Sequence, residues 1–410
     1  EGLVRPGEGT PGCSVRFGLG RGLLLLQGVP LAWVRLYWSV ATVAQVSSAR
    51  ASVFLLRRGD SFVTLTVCTV CTPHEMSKVA SALCVATALA ADPIVGGYGA
   101  FKYQYMPDLL QPPAGANYVN CHGLVTDGDN NIYLTYENDG KTDLNCLIRW
   151  RPDGTGGEFM TGGGSELCSG TPHGLQLAVE QGVPYLYHAN NDQKLTKTLL
   201  DGTIVWQVKG NFGQDPKLPY RPTWFAVVPD SEFVYLCDGY GSNNVYVFSI
   251  NGTFMNTTYG GKGGRDQHGR FSTNHGCTWD PRHQQIGVSD RANSRVEYYE
   301  VDPKSPDKFE YKSTVDLRPS MGAGALPCNI RTYPEQEGRA IVPDLSGPVS
   351  VLDRGDKVIS VVNVSQLLAE EGTKHPHDAI FLPNGDMVVG AWAPGRLSYW
   401  KRLPVESVVV

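Results

Sequence analysis

Three histidines recur in one local setting: His173 in TPHGLQLAV, His275 in TNHGCTWDP and His377 in HPHDAIFLPNGDMVVG. Each stands at the start of a short apolar run that leads through a turn into a second run. Histidine is the commonest protein ligand for metals, and three of them with an open fourth position form a catalytic zinc site rather than a closed structural one. An isolated histidine at a strand start is more often a hydrogen-bonded packing residue. The metal reading therefore needs a fold that brings the three together.

A repeat supplies that fold. Strand–turn–strand units open at His122 (HGLVTDGDNNIYLT), His173, Thr223 (TWFAVVPDSEFVYLC), His275, Cys328 (CNIRTYPEQEGRAIV) and His377, in steps of 51, 50, 52, 53 and 49 residues. Self-similarity at this period with β patterning is the mark of a propeller. A second hairpin follows in each unit, as in NVYVFSINGTFMNTT and KTLLDGTIVWQV, with Asp-Gly and Asn-Gly where a turn needs positive φ. The expectation is an all-β chain, a six-bladed β-propeller with four antiparallel strands per blade. Unit-opening residues are equivalent by repeat, so they should lie at one depth round the channel. Units 2, 4 and 6 alternate round a six-fold ring, and His173, His275 and His377 would converge from directions roughly a third of a turn apart. His122, in unit 1, adjoins two of those blades; it is read as a polar channel residue, with a role supporting the ligands as the alternative.

Composition agrees with this reading and excludes some partners. The 410 residues include 47 Gly, 27 Pro and 19 Tyr, rich in turns and aromatics. A formal net charge of -5 leaves no basic footprint, so nucleic acid is not an expected partner. The first methionine is Met76, and MSKVASALCVATALAADP has one lysine, a short apolar core and small residues at Ala88, Ala90 and Ala91. Residues 76–91 read as a signal peptide cut near Asp92, which places the chain outside the cell or in the secretory lumen. Residues 1–75 carry seven Arg, no Lys and no strand or helix period. They read as leader or translated upstream sequence, with residues 92–410 as the propeller. The rival, a membrane anchor over Leu23–Val40, is interrupted by Pro30 and Arg35 within the length a span needs. Past Asp92 stand Cys121, Cys146, Cys168, Cys237, Cys277 and Cys328 and sequons at Asn251, Asn256 and Asn363. Secretion permits disulfides and glycans, and the pairing stays open.

PHGL (Pro172–Leu175), NHG (Asn274–Gly276), PHD (Pro376–Asp378), DGYGSNNV (Asp238–Val245) and SDRANSRV (Ser289–Val296) together resemble the peptidylglycine α-hydroxyglycine α-amidating lyases, NHL-type six-bladed propellers, over about Asn120 to Pro404. The resemblance implies zinc on His173, His275 and His377. It implies a structural calcium on Asp378 and the backbone carbonyls of Leu124 and Leu175. It implies Tyr240 as the catalytic base and Arg291 as a cation in the active site. A separate monooxygenase partner would then supply the hydroxylated peptide. Two departures stand out. Glu137 occupies the position of a family arginine, where an acid would repel a substrate carboxylate, and another cation such as Arg221, just before the Thr223 opening, is the candidate to take over that role. The family's two cysteine pairs fall on Tyr220 with Gly241 and on Gly287 with Tyr298.

The chemistry implied is cleavage of a carbinolamide C–N bond, giving a peptide amide and glyoxylate. Zinc would act as Lewis acid, and the metal and Arg291 would favour the Tyr240 phenolate. Two other classes remain open. A calcium-dependent propeller lactonase or esterase would draw on Asn243, Asn244, Asp238 and Asp290. A binding scaffold would use the histidines for structure alone.

Overall fold

Among the described residues, six antiparallel sheets of four or five strands follow a two-stranded hairpin along the chain, and five of the six are simple meanders. The structure is a computed structural model that describes residues 52–58, 61–67, 92–210 and 219–405. The first strands of the blades are Asn120–Thr126, Pro172–Glu180, Trp224–Val227, Asn274–Asp280, Arg331–Tyr333 and Pro376–Phe381. Each of these packs on the first strand of the next blade, and the sixth packs on the first, so the ring is closed. The chain is a six-bladed β-propeller with four antiparallel strands per blade, plus a fifth strand on the last.

The sequence shows why the blades stack. The second strands Ile132–Glu137, Phe233–Cys237 and Met387–Ala391 are almost wholly buried, whereas the fourth strand of blade 3, Phe254–Gly260, is partly exposed. Strands covered on both faces read as continuous apolar runs, and the alternation appears only at the rim. One apolar cluster fills each gap between blades; Trp224, Tyr235, Cys277 and Tyr299 build the one between blades 3 and 4. Blade against blade supplies the burial that no single sheet could supply alone.

Closure uses residues that carry no repeat signature. The fourth strand of blade 6 is Phe101–Tyr105, which pairs Tyr105 with Trp400 and Tyr103 with Arg402, and Val95–Tyr98 adds the fifth. The amino-terminal end of the propeller thus completes the blade built by its carboxyl-terminal end, and opening the ring would break a strand pair.

The chain divides into two units, Glu1–Asp92 and Pro93–Val410. No strand period is legible in residues 1–75, yet Ser52–Arg58 and Ser61–Val67 form an antiparallel hairpin there, with Ser52 opposite Val67. The candidate anchor over Leu23–Val40 and the signal peptide over 76–91 lie outside the described residues. Among the described residues no helix is long and apolar enough to cross a membrane. All three sequon asparagines are exposed.

Candidate functional site

The four channel histidines sit at irregularities in the inner strands. In blade 4 the pairing passes from Asn274–Asp290 to Gly276–Ser289, and in blade 6 from Pro376–Ala391 to Asp378–Gly390, so His275 and His377 are extra residues. The register also shifts opposite His173 and across His122. A bulge re-aims the side chain of the extra residue, here into the channel. The glycine that follows answers a different need. A Cβ on Gly174 would lie 2.2 Å from Thr223 O, one on Gly276 2.5 Å from Cys328 O, and one on Gly123 2.4 Å from the Leu175 nitrogen. His-Gly therefore records both a bulge and the close approach of the next blade's backbone.

That backbone fixes the imidazoles. His173 Nδ1 meets Thr223 O at 2.9 Å, His275 Nδ1 meets Cys328 O at 2.7 Å and His377 Nδ1 meets His122 O at 3.4 Å. In all three a histidine of an even blade donates to the opening carbonyl of the next odd blade. Donation through Nδ1 sets the tautomer that leaves Nε2 with a lone pair, as a metal ligand requires. His122 differs, since neither of its ring nitrogens has a partner.

The rings are close. His173 lies 4.9 Å from His275 and 4.7 Å from His377 between ring centroids, and His275 lies 4.7 Å from His377. His122 is 4.5 Å from His173 and 4.7 Å from His377. The expected trio thus converges, with His122 as a fourth member. The tightest set of ligand atoms, however, is that of His122, His173 and His377, all within 4.8 Å of one another. His275 stands outside it, and its Nε2 is engaged by Tyr240 Oη at 3.0 Å. The Nε2 atoms of His173 and His377 are buried without a protein partner. Burial holds the His173 imidazole down at about 3 and His122, His275 and His377 well below the ordinary histidine value. All four are neutral and able to ligate near pH 7.

Tyr240 and Arg291 reach this cluster from neighbouring blades. Arg291 Nη1 donates to Tyr240 Oη at 3.1 Å, and the phenol then donates to His275 Nε2. The chain Arg291–Tyr240–His275–Cys328 O spans blades 3 to 5. Aspartates hold both residues in place. Asp238 accepts from Arg221 N at 2.6 Å and from Ser242 N and Oγ at 2.7 Å, which tightens the DGYGS turn under Tyr240. Asp290 accepts from Ser272 N and Asn293 Nδ2 at 2.7 Å and pairs with the buried Arg295 at 2.8 Å, fixing the turn that carries Arg291. Burial pushes the Tyr240 phenol up from its ordinary value, and Arg291 only partly opposes this. The guanidinium favours the phenolate but does not outweigh the burial.

A cavity of about 410 Å³ opens onto the site, lined among others by His173, Glu137, Arg221, Tyr240, Arg291 and Trp392. Glu137 is half-buried and accepts from Asn120 Nδ2 at 2.5 Å, while Arg221 is exposed. An acid and two cations therefore face one space, and the 37 % exposed Trp392 stands at it as well.

Two of the three donors expected to hold calcium, the Asp378 carboxylate and the Leu175 carbonyl, are engaged otherwise. Arg331, which sequence reasoning passed over, puts Nη2 2.7 Å from Asp378 Oδ2 and 3.1 Å from Leu175 O. Leu124 presents its N–H to Asp378 Oδ2 at 2.7 Å. With the guanidinium there, these groups do not fit a bound calcium ion. A signal for Arg331 was available, since it stands three residues past a unit opening, where Gln176 stands in unit 2.

Cys146 and Cys168 are bridged, and Cys121, Cys237, Cys277 and Cys328 are free. Gly287 and Tyr298, where the resemblance would put a cysteine pair, face each other across blade 4, and a Cβ on Gly287 would lie 3.1 Å from the Tyr298 ring. An aromatic over a glycine fills the space the bridge would have used.

No protein-family model matches the chain. Over 94 residues, 22% of its length, it is 33% identical to peptidylglycine alpha-amidating monooxygenase of Rattus norvegicus, and equally to the peptidyl-glycine alpha-amidating monooxygenase of Mus musculus. The match spans 10% of the length of either relative. Among solved structures, a catalytically inactive virginiamycin B lyase from Staphylococcus aureus with quinupristin aligns at a TM-score of 0.48 and 9% identity, covering 74% of this chain and 100% of that one. A streptogramin B lyase aligns at 0.44 and 10% identity, covering 88% and 93%.

Proposed function

We propose that the chain is a secreted, zinc-dependent carbon–nitrogen lyase that cleaves a carbinolamide such as peptidyl-α-hydroxyglycine to a peptide amide and glyoxylate. The observation that carries this reading is the set of three imidazoles locked through Nδ1 to the backbone of alternate blades, two of them with a buried Nε2 that no protein group satisfies. The partial likeness to the amidating enzymes supports the same class.

His173, His275 and His377 would hold the zinc ion, which when bound acts as a Lewis acid toward a substrate hydroxyl. His122 belongs to the tighter grouping of ligand atoms, but no group fixes either of its nitrogens, whereas a ligating histidine is normally oriented through the other one. Tyr240 Oη, next to His275 Nε2, is placed to take the hydroxyl proton as phenolate. The C–N bond then breaks with its electron pair on nitrogen, the carbinol carbon becomes an aldehyde, and the proton passes to the amide nitrogen. Atoms and charge balance without a redox partner. Arg291 offsets part of the cost of burying the phenolate through its contact with Tyr240 Oη, and a bound metal would supply the rest. Hydroxylation of the peptide would fall to a monooxygenase.

The other classes fit less well. A calcium lactonase would need Asp238 and Asp290 free, and both are saturated by the turns they hold. A pure scaffold gives no reason to bury imidazole nitrogens unpaired, at about 1–3 kcal/mol each. Glu137 sets the preferred substrate: one that carries no carboxylate near it, or that carries a cation.

The test is metal content of the purified protein followed by glyoxylate release from an α-hydroxyglycine peptide. About one zinc per chain with turnover supports the lyase, and a metal-free, inactive protein overturns it. Amino-terminal sequencing of the secreted chain tests the start near Asp92.

A further inference from the structure

The carboxylate of Asp378 is wholly buried and receives Leu124 N at 2.7 Å, Ala379 N at 3.0 Å and Asn329 Nδ2 at 3.2 Å. Its charge is met by Arg331, through Nε at 3.1 Å and Nη2 at 2.7 Å. The same guanidinium extends to Leu175 O at 3.1 Å and to Gln176 Oε1 at 3.3 Å, and its carbon lies 5.7 Å from the Trp224 ring centroid. Trp224 in turn lies about 6 Å from the rings of His173, His275 and His377. One side chain of blade 5 thus crosses the channel to tie blade 6 to blade 2, beside the histidine cluster.

We infer that the Arg331 guanidinium takes the place of a structural calcium ion, so that the cation tying the ring is part of the chain. A hard divalent ion needs carboxylate and carbonyl oxygens with free lone pairs at about 2.3–2.6 Å. Here the carboxylate and the Leu175 carbonyl accept from a planar fork whose geometry suits a bidentate carboxylate contact. A calcium ion sharing this carboxylate would sit against a second, permanently charged cation. Folding and zinc retention are therefore calcium-independent, whatever reaction the histidine site performs.

The experiment compares the wild-type chain with Arg331→Gln, both desalted into calcium-free buffer at constant zinc. Calcium content is read by mass spectrometry and unfolding by thermal melting, with and without millimolar calcium. The wild type should carry no stoichiometric calcium and melt at one temperature in both buffers. Arg331→Gln leaves a buried carboxylate unpaired, and its Tm should fall by roughly 5 °C or more in calcium-free buffer. Added calcium should restore part of that loss, since the donors are then vacant. If Arg331→Gln does not fold, the wild-type measurements still decide. About one calcium per wild-type chain, or a wild-type Tm that rises with calcium, would overturn the inference.

Discussion

Replacing each of the four channel histidines by alanine separates two trios that share His173 and His377. The Nδ1 contacts favour His275 as the third ligand, whereas proximity of ligand atoms favours His122. Structural zinc sites of four ligands bind with about 10–16 kcal/mol, so one ligand is worth roughly 3 kcal/mol, or about a hundred-fold in Kd. His173→Ala, His275→Ala and His377→Ala should each weaken zinc by that order. His122→Ala should keep stoichiometric zinc with a change under about ten-fold, the lower edge of what loss of an outer partner costs. All four rings are buried, so each replacement leaves a comparable cavity and any loss of stability is common to the set. The assay is competition with a chromogenic chelator, with circular dichroism as the check that the propeller persists. Loss of zinc in His122→Ala with retention in His275→Ala would refute the reasoning from the Nδ1 contacts.

Three further outcomes are expected. Tyr240→Phe removes the hydroxyl that joins Arg291 to His275 and should abolish turnover while zinc content stays unchanged, as measured by glyoxylate release and metal analysis. Glu137→Arg should raise kcat/KM on peptidyl-α-hydroxyglycine about ten- to a hundred-fold, the worth of one charge-assisted contact of about 1.5–3 kcal/mol; a fall would show that Arg221 already serves the carboxylate. Replacing Cys146 and Cys168 by serine opens a loop of 22-residue separation and should cost about 3 kcal/mol in denaturant unfolding, with activity retained.

The repeat was legible because each blade begins with the same physical problem. An inner strand must bulge toward the channel while the next strand passes against it, and His-Gly answers both needs in blades 1, 2 and 4. The alternation of His173, His275 and His377 could be drawn from spacing alone, and the structure brings the three rings together. Closure was not legible, because Val95–Tyr105 pairs with the last blade without sharing the period. The bridge between Cys146 and Cys168 was not either, since nothing in six cysteines orders their partners. Arg331 was hidden for another reason. Its position was visible, but whether an arginine on an inner strand faces a carboxylate across the channel depends on a blade 47 residues away.

Blade 6 shows why that arginine sits where it does. The residue after the histidine is glycine in blades 1, 2 and 4, where a side chain would strike the neighbouring backbone, but Asp378 in blade 6. The contact from His377 to blade 1 is also the longest of its kind, 3.4 Å against 2.9 and 2.7 Å. At this point the carboxylate of Asp378 fits between the blades and reaches Leu124 N. A buried carboxylate needs a countercharge. Arg331 supplies it from the adjacent blade on the other side, and by extending to Leu175 it binds the region where the two ends of the propeller meet. The departure from six-fold repetition at Asp378 and the arginine in the channel are then one feature, and substituting either residue alone should expose the other's charge.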